Sequence, residues 1–240
     1  IKVEYRSDMS DGKRVTPFRS VTVKGLLLNP GLPAQKVTFT SVRDDTIGGD
    51  TNGDGVTTEA LTDDWERVYF PDDQISLSNM EFRYAKYAVF YEDTSTGGYV
   101  TRTQTISDCT FLRNQTGLYF KAGDNASSRV DATLTNNTFI RNSNFPIFLV
   151  HTSFATYSGN VFDQNERPAI ALTGNIYKNG TWPAVAGQGM PNLPYIIYGT
   201  SVIKGPTSSS PSVTPAAVVT VDADLVFKFF DTAPTDGNND

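Results

Sequence analysis

Apolar positions recur along the chain in a fixed frame. Four segments end on a phenylalanine, LSNMEF at Phe82, ISDCTF at Phe111, LTNNTF at Phe139 and YSGNVF at Phe162, spaced 29, 28 and 23 residues apart. Five places before each Phe stand Leu77, Ile106, Leu134 and Tyr157, and two places before stand Met80, Cys109, Asn137 and Asn160. Three places after come Ala85, Asn114, Asn142 and Asn165, and each copy then enters a short apolar run: Ala88-Val89-Phe90, Leu118-Tyr119-Phe120, Ile147-Phe148-Leu149 and Ile170-Ala171-Leu172. The frame is kept while the length between copies varies, and the segments lack a 3.6-residue period, which excludes helical repeats.

Short strands returning every 23 to 29 residues with like residues in like places predict an all-β chain, a right-handed parallel β-helix whose coils stack at about 4.8 Å. In that arrangement the four Phe form an internal aromatic stack. Asn114, Asn142 and Asn165 sit at a turn, where each amide bonds to backbone or to the next Asn. Cys109 shares the inward position of Met80 and reads as a small buried hydrophobe rather than a nucleophile. On the flanks, Val21–Val23, Gly25–Leu28 and Lys36–Thr40 read as coil strands with a Pro30/Gly31/Pro33 turn among them. Toward the other end Tyr195–Ile203 and Val218–Phe230 are β-rich and joined by a Ser/Pro loop. One β-helix domain over 1–230 is expected, with 231–240 as tail or linker. Neither end carries an amphipathic capping helix, so each needs a cap or a neighbour.

Composition changes this picture at one place. The net charge of the 240 residues is -6, yet from Arg43 to Asp73 ten Asp and Glu stand against Arg43 and Arg67, so this stretch carries -8 and the remainder +2. Such a chain is a poor binder of nucleic acid, and no apolar run is long enough for a membrane-spanning helix. A single cysteine excludes a disulfide framework and any Cys-based zinc site. Few Lys and Arg, with abundant Thr, Asn and Gly, suit a secreted or cell-surface protein.

From Phe39 to Phe82 is 43 residues, and the excess lies in the acidic insertion 44–64. Asp50, Asn52 and Asp54 followed by Gly55 alternate oxygen side chains in the manner of half a calcium loop, with the Val56 carbonyl as the next ligand. Position 12 of such a loop is Leu61, so Asp63, Glu59 or the Asp44-Asp45 pair must complete the shell. Hard oxygen donors without His or Cys favour Ca²⁺. The expected role is structural, holding a long insertion against the coil.

The stretch Val37-Thr-Phe-Thr-Ser-Val-Arg-Asp-Asp, then Gly48-Gly-Asp-Thr-Asn-Gly-Asp-Gly55 and Asp64-Trp65, resembles a segment common in bacterial exported right-handed parallel β-helix proteins, the pectate-lyase-like superfamily in the broad sense. The likeness runs from about Val21 to Phe230 and is specific for fold and loop. It implies a module of a larger secreted or surface protein that binds or processes polysaccharide, with neighbouring β-helix or surface-protein domains as further partners.

No catalytic residue is assigned. Calcium-dependent lyases similar in fold abstract a proton with an Arg beside bound calcium, and Arg43, Arg67 and Arg83 reproduce no such motif. The carboxylates near the Phe frame, Glu81, Asp108 and Asp163, read as ordinary outward polar residues rather than a glycosidase pair. His151, the only histidine, reads as structural. Tyr84, Tyr87, Tyr91, Trp182, Tyr195 and Tyr198 are candidate rings for stacking on sugars. The expectation is therefore a calcium-stabilised, non-catalytic module for adhesion or polysaccharide binding. The alternatives are a polysaccharide lyase or glycoside hydrolase, or a fibre subunit built by end-to-end stacking.

Overall fold

Two left-handed corners per coil turn the repeat into a solenoid. Asn79, Asp108, Asn136 and Gly159 take φ of 55°, 55°, 54° and 65°, and five residues after each of the first three, Tyr84, Arg113 and Arg141 take 64°, 55° and 52°, with Gln164 at 50° in the fourth coil. Asn, Asp and Gly tolerate this region. Tyr and Arg do not favour it, but their amides stay in the ladder: Tyr84 N donates to the Leu112 carbonyl, Arg113 N to Ile140 and Arg141 N to Asp163. In the first three coils the corners thus turn the chain without leaving their N–H groups unpaired.

The computed structural model describes residues 20–25, 27–29, 35–72, 74–95, 100–204 and 217–230, together with the strand segments Lys2–Val3, Asp8–Ser10 and Lys13–Val15. The corners divide each coil among three parallel sheets. Sheet I stacks Lys2–Val3, Val37–Ser41, Met80–Arg83, Thr110–Leu112, Thr138–Ile140 and Val161–Asp163. Sheet II stacks Ser76–Ser78, Val100–Ser107, Ser128–Thr135 and Ser153–Ser158. Sheet III stacks Ser20–Thr22, Trp65–Pro71, Ala85–Glu92, Thr116–Lys121, Ile147–Val150, Ile170–Ile176, Tyr195–Ile203 and Phe227–Phe229. A further parallel pair joins Gly180–Trp182 to Val219–Val221. The one antiparallel ladder among the described residues is Asp8–Ser10 on Lys13–Val15. No described residue is helical.

Register keeps like residues in columns. In sheet I, Phe39, Phe82, Phe111, Phe139 and Phe162 face one another with centroid separations of 5.2, 5.5, 4.9 and 4.9 Å and planes within 11° of parallel, so the expected stack has a fifth member. All five rings are buried. Sheet III contributes two inward columns: Val21, Val68, Val89, Leu118, Ile147, Ile170, Tyr195 and Phe227, and beside it Phe70, Tyr91, Phe120, Leu149, Leu172, Ile197 and Phe229. Cys109 lies inside, and burial pushes its thiol up to about 11.

The expected asparagine ladder is present. Ala85 N donates to Asn114 Oδ1 (2.9 Å), Asn114 N to Asn142 Oδ1 (3.1 Å) and Asn142 N to Asn165 Oδ1 (3.1 Å), while each Nδ2 donates to the carbonyl of Phe82, Phe111 or Phe139. Gln188 ends the column, its Oε1 accepting from Asn165 N at 2.9 Å. A second ladder runs at the other corner: Cys109 N donates to Asn137 Oδ1 (3.0 Å) and Asn137 N to Asn160 Oδ1 (2.9 Å). A Cβ on Gly187 would stand 2.9 Å from the Phe162 side chain, so that turn seats directly on the end of the Phe stack.

Some expectations shift. Leu27 and Leu28 are not in a strand, while the β-rich Val218–Phe230 holds two short strands, Val219–Val221 and Phe227–Phe229. The Pro30/Gly31/Pro33 turn, the Ser208–Pro215 loop and the 231–240 tail lie outside the described residues.

Candidate functional site

Residues 42–64 leave sheet I after Ser41 and re-enter sheet III at Trp65 without forming a strand. Two buried acids clip the ends of this insertion to the coil. Asp44 accepts from Thr40 Oγ1 (2.6 Å) and Thr46 Oγ1 (2.5 Å) and pairs with Arg83 at 3.5 Å. Asp64 accepts from Ser41 Oγ (2.7 Å) and Leu61 N (3.1 Å) and pairs with Arg43 at 3.3 Å. Removing either partner would strand a buried charge, so these pairs hold the loop roots by themselves.

Farther out, Asp45, Asp50 and Asp54 bring carboxylate oxygens within 4.8 Å of one another. Asp50 accepts from Gly53 N (2.8 Å) and Gly55 N (2.9 Å), the tight turn that the alternating Gly residues permit. Asp54 Oδ2 accepts from Asn52 Nδ2 (2.9 Å) and, at short range, from Thr58 Oγ1. The second oxygen of Asp54 and Oδ1 of Asp45 are buried with no hydrogen-bond partner. Three carboxylates at this range repel by on the order of 1 to 3 kcal/mol per pair, depending on solvent screening. Lone pairs that receive no donor, in a cluster of like charge, are what a hard cation satisfies. A cleft of about 340 Å³ adjoins, lined by Arg43, Asp45, Val56, Glu59, Tyr84 and Arg113 among others.

The sequence-derived donor set is thereby sorted. Asp45, Asp50 and Asp54 converge, and Glu59 and Val56 line the neighbouring cleft. Asp44 does not join them, because its oxygens are taken by Thr40, Thr46 and Arg83. Asn52 turns its Nδ2 toward Asp54, and Asp63 sits at a left-handed position (φ 77°) outside the triad.

The candidate rings divide as well. Tyr91 and Tyr195 are fully buried in the inward columns of sheet III, and Tyr84 and Trp182 are also buried, so none of these four presents an open face to a sugar. Tyr195 OH donates to the Pro183 carbonyl, and its hydroxyl is pushed up by burial. Tyr87 and Tyr198 are half-buried on the outside of the solenoid. They border an outer aromatic seam in which Phe90, Tyr119 and Phe148 stack at 4.5 and 5.1 Å. Arg67 lies 4.4 Å over Phe90 at one end of that seam, and Arg167 caps Phe145 and Phe230 near the other. Rings stacked face to face expose edges, so of the six candidate rings only Tyr87 and Tyr198 keep a half-exposed outward position.

Glu81, Asp108 and Asp163 occupy three different positions of the coil: Glu81 is in register with Thr110, Thr138 and Val161, Asp163 with Leu112 and Ile140, and Asp108 is at the corner. Glu81 also pairs with Arg83 at 3.1 Å. His151 takes a left-handed corner (φ 57°), accepts from Asn175 N at 3.2 Å and faces Asp124. Burial lowers its pKa, with Asp124 opposing.

The family model described as a right handed beta helix region matches residues 71–180, the span that holds the four-Phe repeat and both asparagine ladders. No curated protein and no solved structure matches the chain. The matched region and the three stacked parallel sheets identify the chain as an all-β, right-handed parallel β-helix.

Proposed function

We propose that this chain is a calcium-stabilised, non-catalytic β-helix module of a secreted or cell-surface bacterial protein, serving adhesion or polysaccharide binding. The reading rests on the acidic insertion, where Asp45, Asp50 and Asp54 converge and leave two buried carboxylate oxygens without donors. Ca²⁺ there would draw on those three residues, with Glu59 and Val56 of the adjoining cleft as the further donors we propose. The ion would order the outer half of a loop whose roots Asp44 and Asp64 already fix. Against catalysis, the frame carboxylates are dispersed over three coil positions, and Arg43 and Arg83 are committed to buried acids. Tyr87 and Tyr198 support a polysaccharide contact on the outer side of sheet III.

Calcium titration calorimetry and thermal unfolding with and without EGTA test the metal. One high-affinity site, a higher midpoint with calcium, and loss of both in Asp50→Asn/Asp54→Asn are expected. An unchanged midpoint together with no heat of binding overturns it. Polysaccharide retention that weakens in Tyr87→Ala, without release of reducing or unsaturated ends, is the expected outcome for the binding surface; release of such ends refutes the non-catalytic reading.

A further inference from the structure

Two Asn-Gly pairs stand in the sequence, Asn52-Gly53 and Asn179-Gly180. Such a pair holds a nucleophile and an electrophile side by side. The backbone nitrogen of the Gly attacks Cγ of the preceding Asn, and the new N–Cγ bond closes a five-membered succinimide. The Cγ–Nδ2 bond breaks, and the proton from the Gly nitrogen leaves with Nδ2 as ammonia. Water then adds to one of the two ring carbonyls, giving Asp when the side-chain carbonyl is opened and isoaspartate when the main-chain carbonyl is. Any other residue after the Asn carries a Cβ that crowds the attacking nitrogen, an obstacle that Gly lacks.

The fold treats the two pairs differently. Asn179-Gly180 is held by distant parts of the chain. Gly180 N donates to the Val218 carbonyl (3.1 Å), Asn179 Oδ1 accepts from Val218 N (2.7 Å), and the Asn179 carbonyl accepts from Arg129 at short range. Gly180 opens the strand Gly180–Trp182 and lies against Phe154, where a Cβ would stand 2.1 Å from the ring. Closing a succinimide there takes Gly180 N out of its bond to Val218 and shifts backbone that is packed on Phe154.

Asn52-Gly53 is exposed, lies outside any strand, and has nothing within 4 Å of where a Gly53 Cβ would stand. Its hydrogen bonds go to side chains of its own loop: Gly53 N donates to Asp50 Oδ1 (2.8 Å), and Asn52 Nδ2 to Asp54 Oδ2 (2.9 Å) and Thr58 Oγ1 (3.1 Å). These partners stand at most six positions away, so no strand or core contact has to open. Rotation about the Asn52 Cα–Cβ and Cα–C bonds brings Cγ to the Gly53 nitrogen, and water replaces the bonds given up.

We infer that Asn52 is a self-modification site, converting to Asp or isoaspartate in the folded protein, whereas the fold protects Asn179. Either product puts a carboxylate in place of a neutral amide, so the stretch from Arg43 to Asp73 passes from -8 to -9. A fourth acid then stands beside Asp45, Asp50 and Asp54, and the donor that now faces Asp54 is lost. The reaction needs only water, so it stands whether or not the loop binds a cation.

Incubating the folded chain in mildly alkaline buffer with EGTA, then digesting it in acid and weighing the peptides, tests this. The peptide holding Asn52 should gain the mass of an amide-to-acid exchange and coelute in part with that of Asn52→Asp. Asp54-Gly55 can close the same ring, but its rehydration leaves the mass unchanged, so the two are not confused. Native Asn52 should react within about tenfold of a synthetic peptide of residues 48–59, and Asn179 about tenfold or more slower, because two hydrogen bonds hold its reacting groups. In urea the Asn179 lag should vanish. Gly53→Ala, with circular dichroism matching the parent, should slow the reaction at Asn52. Retention of the Asn52 amide while the synthetic peptide loses its own overturns the inference. So does an Asn179 that reacts as fast as Asn52 in the native chain, or a Gly53→Ala variant that reacts at the parent rate.

Discussion

Replacing Asn142 by Ala interrupts the longer asparagine ladder at its centre. The Asn142 side chain is fully buried and serves four groups: Oδ1 accepts from Asn114 N (3.1 Å) and Asn114 Nδ2 (3.3 Å), and Nδ2 donates to the Phe111 carbonyl (3.1 Å) and Asn165 Oδ1 (2.8 Å). Two of these keep another partner, because Asn114 Nδ2 still reaches the Phe82 carbonyl and Asn165 Oδ1 still accepts from residue 142 N. The Asn114 amide and one acceptor site of Phe111 do not. At about 1 to 3 kcal/mol for each buried group left unpaired, the loss is about 2 to 6 kcal/mol. For a domain of this size that lowers the melting midpoint by roughly 4 to 24 °C. Urea unfolding followed by near- and far-UV circular dichroism should show a lower midpoint with an unchanged slope. Asn142→Asp provides the control: it retains the acceptor and loses the donor, so it should also fail, with the added cost of a buried carboxylate. A destabilisation below about 0.5 kcal/mol for Asn142→Ala would mean that the ladder bonds merely replace water and organise nothing.

The remaining predictions are smaller. Cys109, with its thiol pushed up to about 11 by burial, should resist a disulfide reagent at pH 8 in the native protein and react at once in urea; fast native labelling would contradict its inward position. His151 is held neutral in the fold by burial, while the unfolded chain takes up a proton near 6.5, so stability should fall as pH drops below that value, and His151→Asn should flatten the dependence seen by thermal melts. Gly174→Ala would set a Cβ 2.4 Å from His151 Nδ1 at φ 85°, and a loss of about 1 to 2 kcal/mol from the left-handed backbone alone should appear in urea melts. Wild-type stability in that variant would mean that the His151 corner is soft.

The repeat was readable because the coil forces identical side chains into one place: Phe82, Phe111, Phe139 and Phe162 share a column, and the sequence shows them at one frame position. The second ladder was harder to see. Asn137 and Asn160 share their column with Met80 and Cys109, so half of its members are apolar and the frame position reads simply as inward. Corners at Tyr84, Arg113, Arg141 and Gln164 carry no turn composition, since ladder bonds rather than residue preference hold them; the available signal was their place immediately before the Asn column. Tyr91 and Tyr195 are candidates on ring chemistry alone, whereas strand alternation gives them the parity of Val89 and Ile197, which point inward. In the acidic loop, spacing brought out the Asp50-Asn52-Asp54 pattern, but not that Asp44 is spent on Thr40 and Arg83, because that contact joins the loop to a strand 39 residues along the chain.

The clipped roots of the insertion have a consequence for how such a chain changes over time. Ser41 Oγ donates to Asp64 Oδ2 at 2.7 Å, so the 22 residues between them leave the coil and return to it at one point. Beyond that closure the hanging segment meets the coil at Asp44 and Thr46, which contact Arg83, and at Thr62 Oγ1, which donates to the Arg113 carbonyl. Loop-closure entropy grows only as the logarithm of length, so lengthening, shortening or replacing the hanging segment perturbs the frame little as long as Asp44, Asp64 and their arginines stay. That junction is therefore a socket: a place where foreign sequence, a different ion-binding loop or an engineered epitope can be exchanged while the stacked coils keep their register.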